Sequence, residues 1–338
     1  MGTPEDVAAE KYFTPPEPKP KTKEEWITWS AQWDESDHAG KVKLCEEYGI
    51  NYGSGRHWRS DCGIPFEPKE KPKTLDQPIP TISQVNTPYL LNTGRDMITV
   101  AVIGDTHNPY QDNDVMRLVE NFLEEIQPDY LIYNGDINDF YQVSVFAKDP
   151  ARLGQLQSDL DVTHAMFSRH QLILPNTKKI MVDGTHEHRW INYLQKQSPA
   201  TANLRVNTIP GLYELDKYNI DHVTFERGVL INKTFLILHG DIASIHSSYT
   251  AKRHYEKHGG NGMANHTHRG GSYFKHDRFG FKAWFENFCL CSLLPDYIQN
   301  PDWMNGFSLI HFKDNHFYVE QLPIVSGSFI YGGKLWKL

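Results

Sequence analysis

The sequence predicts an α/β protein: a mostly parallel sheet flanked by helices, a second sheet after it, and a small helical module ahead of it. Three observations predict this. From Asp96 to Gly184, apolar β-rich runs alternate with helical stretches, the order that builds right-handed βαβ units. After His222 the runs become shorter and β-like, as antiparallel strands of a second sheet would be. Each apolar run also ends in a polar cluster of Gly, Asp, Asn or His.

Residues 1–22 are acidic and rich in proline and read as a disordered tail. Residues 23–62 read as a small helical module. KEEWITWSAQW forms one helix and HAGKVKLCEEYG a second, Gly49 breaks the pattern, and SGRHWRSD forms a third. That outline is helix-turn-helix-like, with Arg56, His57 and Arg59 exposed and Val42, Leu44 or Cys45, Ile50 and Trp58 as the core. Acids and bases are about equal in number there, so DNA binding and docking on protein both stand as readings. Residues 63–95, rich in Pro and Lys, read as a semi-extended linker. Residues 96–338 form the main domain. It opens with the runs MITVAVIGD, DYLIYNGD and KKIMVDG, separated by helical stretches, and closes with HVTFE, GVLINKTFLILHGD, FENFCLCSLL and FSLIHFKDNHFYVEQL.

With 338 residues, 39% of them hydrophobic, the chain can bury one sizeable domain and a smaller module. No run approaches the roughly 18 apolar residues of a membrane span, and the N-terminus lacks the apolar core of a signal peptide. Asp6 stands where a myristoylation signal wants Ser or Thr. The expectation is a soluble, cytoplasmic protein without membrane association; oligomeric state is not legible. A net charge of −8 argues against nonspecific coating of nucleic acid. It does not exclude a nucleic-acid enzyme, because bound cations reverse the charge locally. Four cysteines make no disulfide framework, and Cys289 and Cys291 are expected as buried free thiols on one strand face.

The polar clusters carry the chemistry. In order they are Gly104-Asp105-Thr106-His107, Gly135-Asp136-Ile137-Asn138-Asp139, Gly184-Thr185-His186-Glu187-His188, His239-Gly240-Asp241 and Asn265-His266-Thr267-His268. The carboxyl ends of strands in an open α/β sheet face one crevice, so all five clusters can converge. One such cluster alone is a helix cap or a turn; five in order point to metal binding. Two cations about 3.5–4 Å apart activate a water and neutralise charge on a phosphate ester. Imidazole and carboxylate ligands suit Mn²⁺ first, with Fe²⁺, Zn²⁺ or Ni²⁺ as other occupants. His254 and His258, four apart in a charged helical stretch, read as solvated. Tyr110, Tyr141, Trp190 and Tyr273 follow the clusters, placed to stack on a base or to pack at a cleft rim.

Over residues 96–276 this order resembles the signature of the calcineurin-like metallophosphoesterases, Asp-X-His, Gly-Asp-X-X-Asp, Gly-Asn-His-Asp/Glu, His and Gly-His-X-His. GTHEHRWINYLQKQSPA, PGLYEL and HTHRGG look most like its phage and bacterial branch, which would place the chain in a host cytoplasm. The resemblance implies a four-layer α/β/β/α sandwich with two divalent cations at one end. It implies Asp105, His107 and His268 on the first metal, Asp136 bridging, and His239 and His266 on the second. It implies His186 as proton donor to the leaving group, Glu187 as its orienting partner, and Asp139 paired with Arg189 or Arg269, either arginine reaching a phosphate oxygen. Two positions depart from the pattern. Asn265 replaces a Gly, which left-handed backbone angles would excuse. Thr185 replaces the Asn whose amide oxygen is a ligand to the second metal, so that site is expected to be weaker.

The leading expectation is a phosphodiesterase, a nuclease acting on DNA. The alternatives are a phosphomonoesterase or cyclic-nucleotide phosphodiesterase, and a binding protein in which Thr185 has removed catalysis.

Overall fold

The computed structural model describes residues 22–49, 87–94, 96–150, 153–295, 301–314 and 316–338. The chain divides into two compact units, Met1–Ile79 and Pro80–Leu338.

In the first unit, helix α1 spans Lys23–Glu35 and α2 spans His38–Tyr48. Thr22 and Glu25 cap α1 reciprocally, each side chain accepting from the other's backbone N–H. Asp37 caps α2, and Gly49 ends it at φ 65°. Trp29, absent from the expected core, is buried with Leu44 and Cys45, and Trp33 and Tyr48 pack against them. The expected third helix, with Arg56, His57, Trp58 and Arg59, lies outside the described residues, as do Ile50, residues 1–21 of the tail and residues 63–86 of the linker.

The second unit holds two six-stranded sheets. In the first, β2 (Ile98–Ile103), β3 (Tyr130–Asn134), β4 (Lys178–Val182) and β5 (Ile220–Val223) run parallel. Helices α3 (Asn113–Ile126), α4 (Leu156–Ile173) and α5 (Thr185–Gln197) occur along the β2–β5 stretch. β11 (Gly306–Lys313) and β12 (His316–Pro323) extend the same sheet antiparallel beyond β2. The second sheet orders β1 (Tyr89–Leu91), β6 (Val229–Ile231), β7 (Phe235–Leu238), β8 (Asn261–Ala264), β10 (Gly280–Glu286) and β9 (Gly271–Asp277).

Burial divides by strand alternation. Val100, Val102, Ile132, Ile180 and Val182 face the second sheet's Ile231, Phe235, Ile237 and Met263. Ala101, Ile103, Leu131 and Tyr133 face α3 and α4 through Phe122, Leu123 and Phe167. On the outside of the second sheet, helix α6 (Tyr249–His258) buries Ala251 against Leu238, Ala264 and Trp284. The layers are therefore helix, sheet, sheet, helix, as the resemblance implied. A last hairpin, β13 (Ser328–Tyr331) with β14 (Lys334–Lys337), sets Phe329 and Trp336 on the Phe122 ring at about 5 Å.

Three expectations need correction. Tyr89–Leu91 lies in the stretch read as linker, yet pairs with β6. The second sheet is mixed, with β7, β8 and β10 parallel. The late runs do not all join it: HVTFE contributes β5 and the last run contributes β11 and β12, both to the first sheet. Leu309 faces one core while Ile310 and Phe312 face the other, and a strand apolar on both faces belongs inside a sandwich.

Candidate metal centre

The carboxyl ends of β2, β3, β4, β7 and β8 deliver the five clusters to one place. The loops after β2 and β3 stay zipped by backbone bonds from Asp105 N–H to Gly135 O, His107 N–H to Asp136 O and Asn108 N–H to Ile137 O, at 2.8–3.0 Å. Gly135 turns at φ 82°, and a Cβ there would lie 2.4 Å from His239 Nδ1. Asp105, His107, Asp136, His266 and His268 all hold left-handed backbone angles, with φ between 48° and 77°. Such angles cost an L-residue roughly 1–2 kcal/mol each, and strain of this kind clusters at functional sites.

Among the described residues four groups of side chains could hold a cation, and two of them contain the expected ligands. Asp105, His107 and His268 form the first, with His268 Nε2 3.3 Å from Asp105 Oδ1 and 2.9 Å from His107 Nε2. Asp136, His239 and His266 form the second, with His239 Nε2 3.2 Å from Asp136 Oδ2. Asp136 Oδ2 also stands 3.9 Å from His107 Nε2, so this carboxylate lies between the groups.

The residues fit divalent cations. Asp105 Oδ1 and His239 Nε2 are buried without a hydrogen-bond partner, a costly condition that a cation would relieve. His239 Nδ1 donates to Asn134 O at 2.8 Å, so Nε2 is the nitrogen it would offer a cation. Burial opposes charge on the ring, yet the Asp136 carboxylate beside it raises it to about 9, and a cation would displace that proton. His107 is fixed in the same way, its Nδ1 3.1 Å from Asp139 Oδ1. Burial and the neighbouring His239 lower His266 to about 4, so its imidazole is neutral and free to ligate. Burial opposes charge on Asp136, yet His186 and His239 beside it hold its carboxyl well below the usual range. The N-terminus of α5 adds to this, His186 N–H donating to Asp136 Oδ1 at 2.7 Å. Cations bound here would supply a hydroxide for attack and a sink for charge on phosphate oxygens.

Other expected residues are placed differently. Thr185 Oγ1 donates to Asp136 Oδ2 at 3.0 Å and lies 3.5 Å from His266 Nδ1, at the edge of the second group. Glu187 does not orient His186. It is fully buried and accepts from the N–H groups of Asp136, Gly184, Ile137 and Asn138 and from the Tyr213 hydroxyl. Burial and nearby Asp136 push its carboxyl up to about 7 against those donors. The partner of His186 is Asp139, through its backbone oxygen at 2.9 Å and Oδ1 at 3.1 Å from Nδ1. Asp139 therefore pairs with histidines and not with an arginine carboxylate bridge. Arg189 reaches only its backbone oxygen, at 3.3 Å, and Arg269 binds Asp302 and the Ile245 carbonyl.

His188 packs against Phe225 and belongs to neither group. His254 is not solvated: it is fully buried in a cluster of three rings with Trp284 and His258, their centroids 5.5–5.8 Å apart. Trp190 stacks on Phe140 and Tyr273 packs beside Tyr255, whereas Tyr141 lines an open cavity of about 440 Å³ with Asp139, Ser144, Phe146, Ala147, His186 and Arg189.

Two contributors were missed. Asn265 does not take a left-handed angle. Its amide donates to Asp105 Oδ2 at 2.8 Å and to two backbone carbonyls while accepting from Asn134, so it positions the Asp105 carboxylate. Cys291, buried and free as expected, places Sγ 3.9 Å from His268 Nδ1, where a carboxylate or carbonyl commonly stands. Its distance along the chain from His268 hid it.

The chain is 23% identical over 254 residues to the Gene 54 protein of Mycobacterium phage D29, covering 71% of this chain and 98% of that protein. A Vps29 mutant from Entamoeba histolytica matches 71% of this chain and 98% of its own, at 13% identity and a TM-score of 0.36. A dimetal phosphatase from Danio rerio matches 66% and 95%, at 10% identity and a TM-score of 0.33. The family model of the calcineurin-like phosphoesterases matches residues 98–297, more than half of the chain. The chain belongs to that family, and the membership supports metal-dependent hydrolysis of phosphoester bonds.

Proposed function

We propose that the chain is a phosphodiesterase with DNA as its substrate, acting in the cytoplasm of a host cell. Asp105, His107, Asp136 and His268 hold one cation, and Asp136, His239 and His266 hold the second; Mn²⁺ is the ion proposed, in a donor set that also accepts Fe²⁺, Zn²⁺ or Ni²⁺. His186, its Nδ1 fixed by Asp139, gives the proton on Nε2 to the leaving oxygen.

The observation that carries this reading is the open cavity of about 440 Å³ beside His186, where the arm that leaves would lie. It gives room for a bulky leaving arm such as the nucleoside of a nucleic-acid diester. The relative in a mycobacteriophage supports the location. Among the described residues no helix is long and apolar enough to cross a membrane. DNA as the polymer rests on the helical outline of the first unit, of which α1 and α2 are described.

The test is incubation with Mn²⁺ and a chromogenic diester, a monoester, and linear single- and double-stranded DNA. Turnover of the diester and of DNA is expected to exceed that of the monoester. Preference for the monoester would favour the phosphomonoesterase reading. No turnover under several cations would favour a binding protein, the reading that Thr185, with its hydroxyl engaged by Asp136, keeps in play.

A further inference from the structure

We infer that Tyr141, Phe146 and Arg189 form a subsite for the base of the nucleoside that leaves. This rests on the phosphodiesterase reading and names the substrate class at the same centre. The segment after β3 is held in one shape by its own hydrogen bonds. Asp149 N–H donates to the Tyr141 hydroxyl at 2.6 Å, Lys148 Nζ to Ser144 O at 2.7 Å, and Phe146 N–H to Ser144 Oγ at 3.3 Å. Yet this ordered turn leaves Phe146 71% exposed. Phe279 is as exposed elsewhere, so exposure alone assigns no use; what marks Phe146 is that its ring lines the cavity beside His186.

What it meets is set by the cavity. Tyr141, Phe146 and Ala147 give it apolar, mainly aromatic walls, and Asp139 and His186 lie at its metal-facing end. Arg189 enters from the first turns of α5 and binds the Asp139 backbone oxygen through one nitrogen. Two rings and a guanidinium offer flat faces to a planar heterocycle, by stacking and by cation–π contact. An aliphatic lipid chain would have to desolvate the charges of Arg189, Asp139 and His186. Among the described residues of the lining, a bare sugar would find hydroxyls at Ser144 and Tyr141, and Asp149 N–H already engages the latter. In the step served, a water oxygen bonds to phosphorus and its proton passes to solvent, the bond from phosphorus to the nucleoside oxygen breaks, and that oxygen takes the His186 proton, which solvent then restores. The base then lies in the cavity while its sugar oxygen lies at His186 Nε2.

The test compares kcat/KM for a dinucleotide with that for the same molecule lacking the base on the leaving sugar. It is joined to saturation-transfer NMR of adenosine and thymidine on the full-length protein without added cation. Wild type is expected to prefer the base-bearing substrate by roughly five- to hundredfold, the range base–aromatic stacking carries. Phe146→Ala should remove most of that preference and the NMR transfer without lowering the melting temperature, and Phe146→Trp should restore both. Turnover of bis(4-nitrophenyl) phosphate with no base preference and no nucleoside transfer would overturn the subsite and leave the phosphodiesterase reading intact. Absence of turnover on every diester would overturn that reading and the subsite with it.

Discussion

His107 and His186 share one carboxylate oxygen: Asp139 Oδ1 lies 3.1 Å from Nδ1 of each, and the two rings meet edge to face at 4.3 Å. A group of the first metal site and the proposed proton donor are thus oriented by the same anion. Asp139→Asn keeps the shape and removes the charge that accepts from both rings. It is expected to weaken the first cation by roughly 10–100-fold, the usual effect of losing such a partner, and to lower kcat as well. Calorimetric Mn²⁺ titration beside steady-state kinetics checks both; loss of rate with unchanged affinity would mean that only His186 depends on Asp139.

Thr185 bears on the second cation. Its hydroxyl already binds Asp136, so it offers the second group a weak donor at best. Thr185→Asn should tighten the second step of Mn²⁺ binding and leave the first unchanged. A titration in which both steps match wild type would show that residue 185 does not limit the second site.

What the sequence disclosed and what it hid divide on physical grounds. The ligand clusters were legible because each is a local event, a polar turn at the end of an apolar strand. Asp105, His107, Asp136, His239, His266 and His268 do converge. Partnerships across the chain were not legible. Glu187 reads as a neighbour of His186, but helical geometry turns its carboxylate toward the amides of residues 136–138. Asn265 was explained by its backbone and works through its amide. β11 reads as a strand from its period, while its place between β12 and β2 in the first sheet depends on pairing with β2, about 200 residues earlier.

Glu187 makes the next expectation one of stability. Glu187→Gln puts an amide NH₂ where donors converge and leaves at least one or two of them unsatisfied. The cost is expected to be roughly 3 kcal/mol, at about 1–3 kcal/mol per orphaned group. Chemical denaturation of the cation-free protein measures it. A loss under half that size would show that water replaces the carboxylate, and that Glu187 does not hold the β3 loop.

His254 ties stability to pH. Burial, then the neighbouring His258, lowers it from 6.5 to about 3. Above 6.5 the ring is neutral folded and unfolded, and adds no pH dependence. As pH falls from 6.5 toward 3 only the unfolded chain takes up the proton, so stability declines through that window. His254→Phe keeps the stack on Trp284 and should flatten that decline, read as the difference in melting temperature between pH 7 and pH 4. Equal differences for variant and wild type would place the acid sensitivity elsewhere.

The central claim is that one buried carboxylate joins two cations that together hydrolyse a phosphodiester. Asp136→Ala, assayed on bis(4-nitrophenyl) phosphate and linear DNA across a Mn²⁺ titration, tests it most directly. Wild-type turnover should rise and saturate with Mn²⁺ and vanish with chelator, while Asp136→Ala, folded by circular dichroism, should bind Mn²⁺ poorly and turn over neither substrate. Turnover by Asp136→Ala within a few-fold of wild type, or wild-type turnover indifferent to chelation, would contradict it.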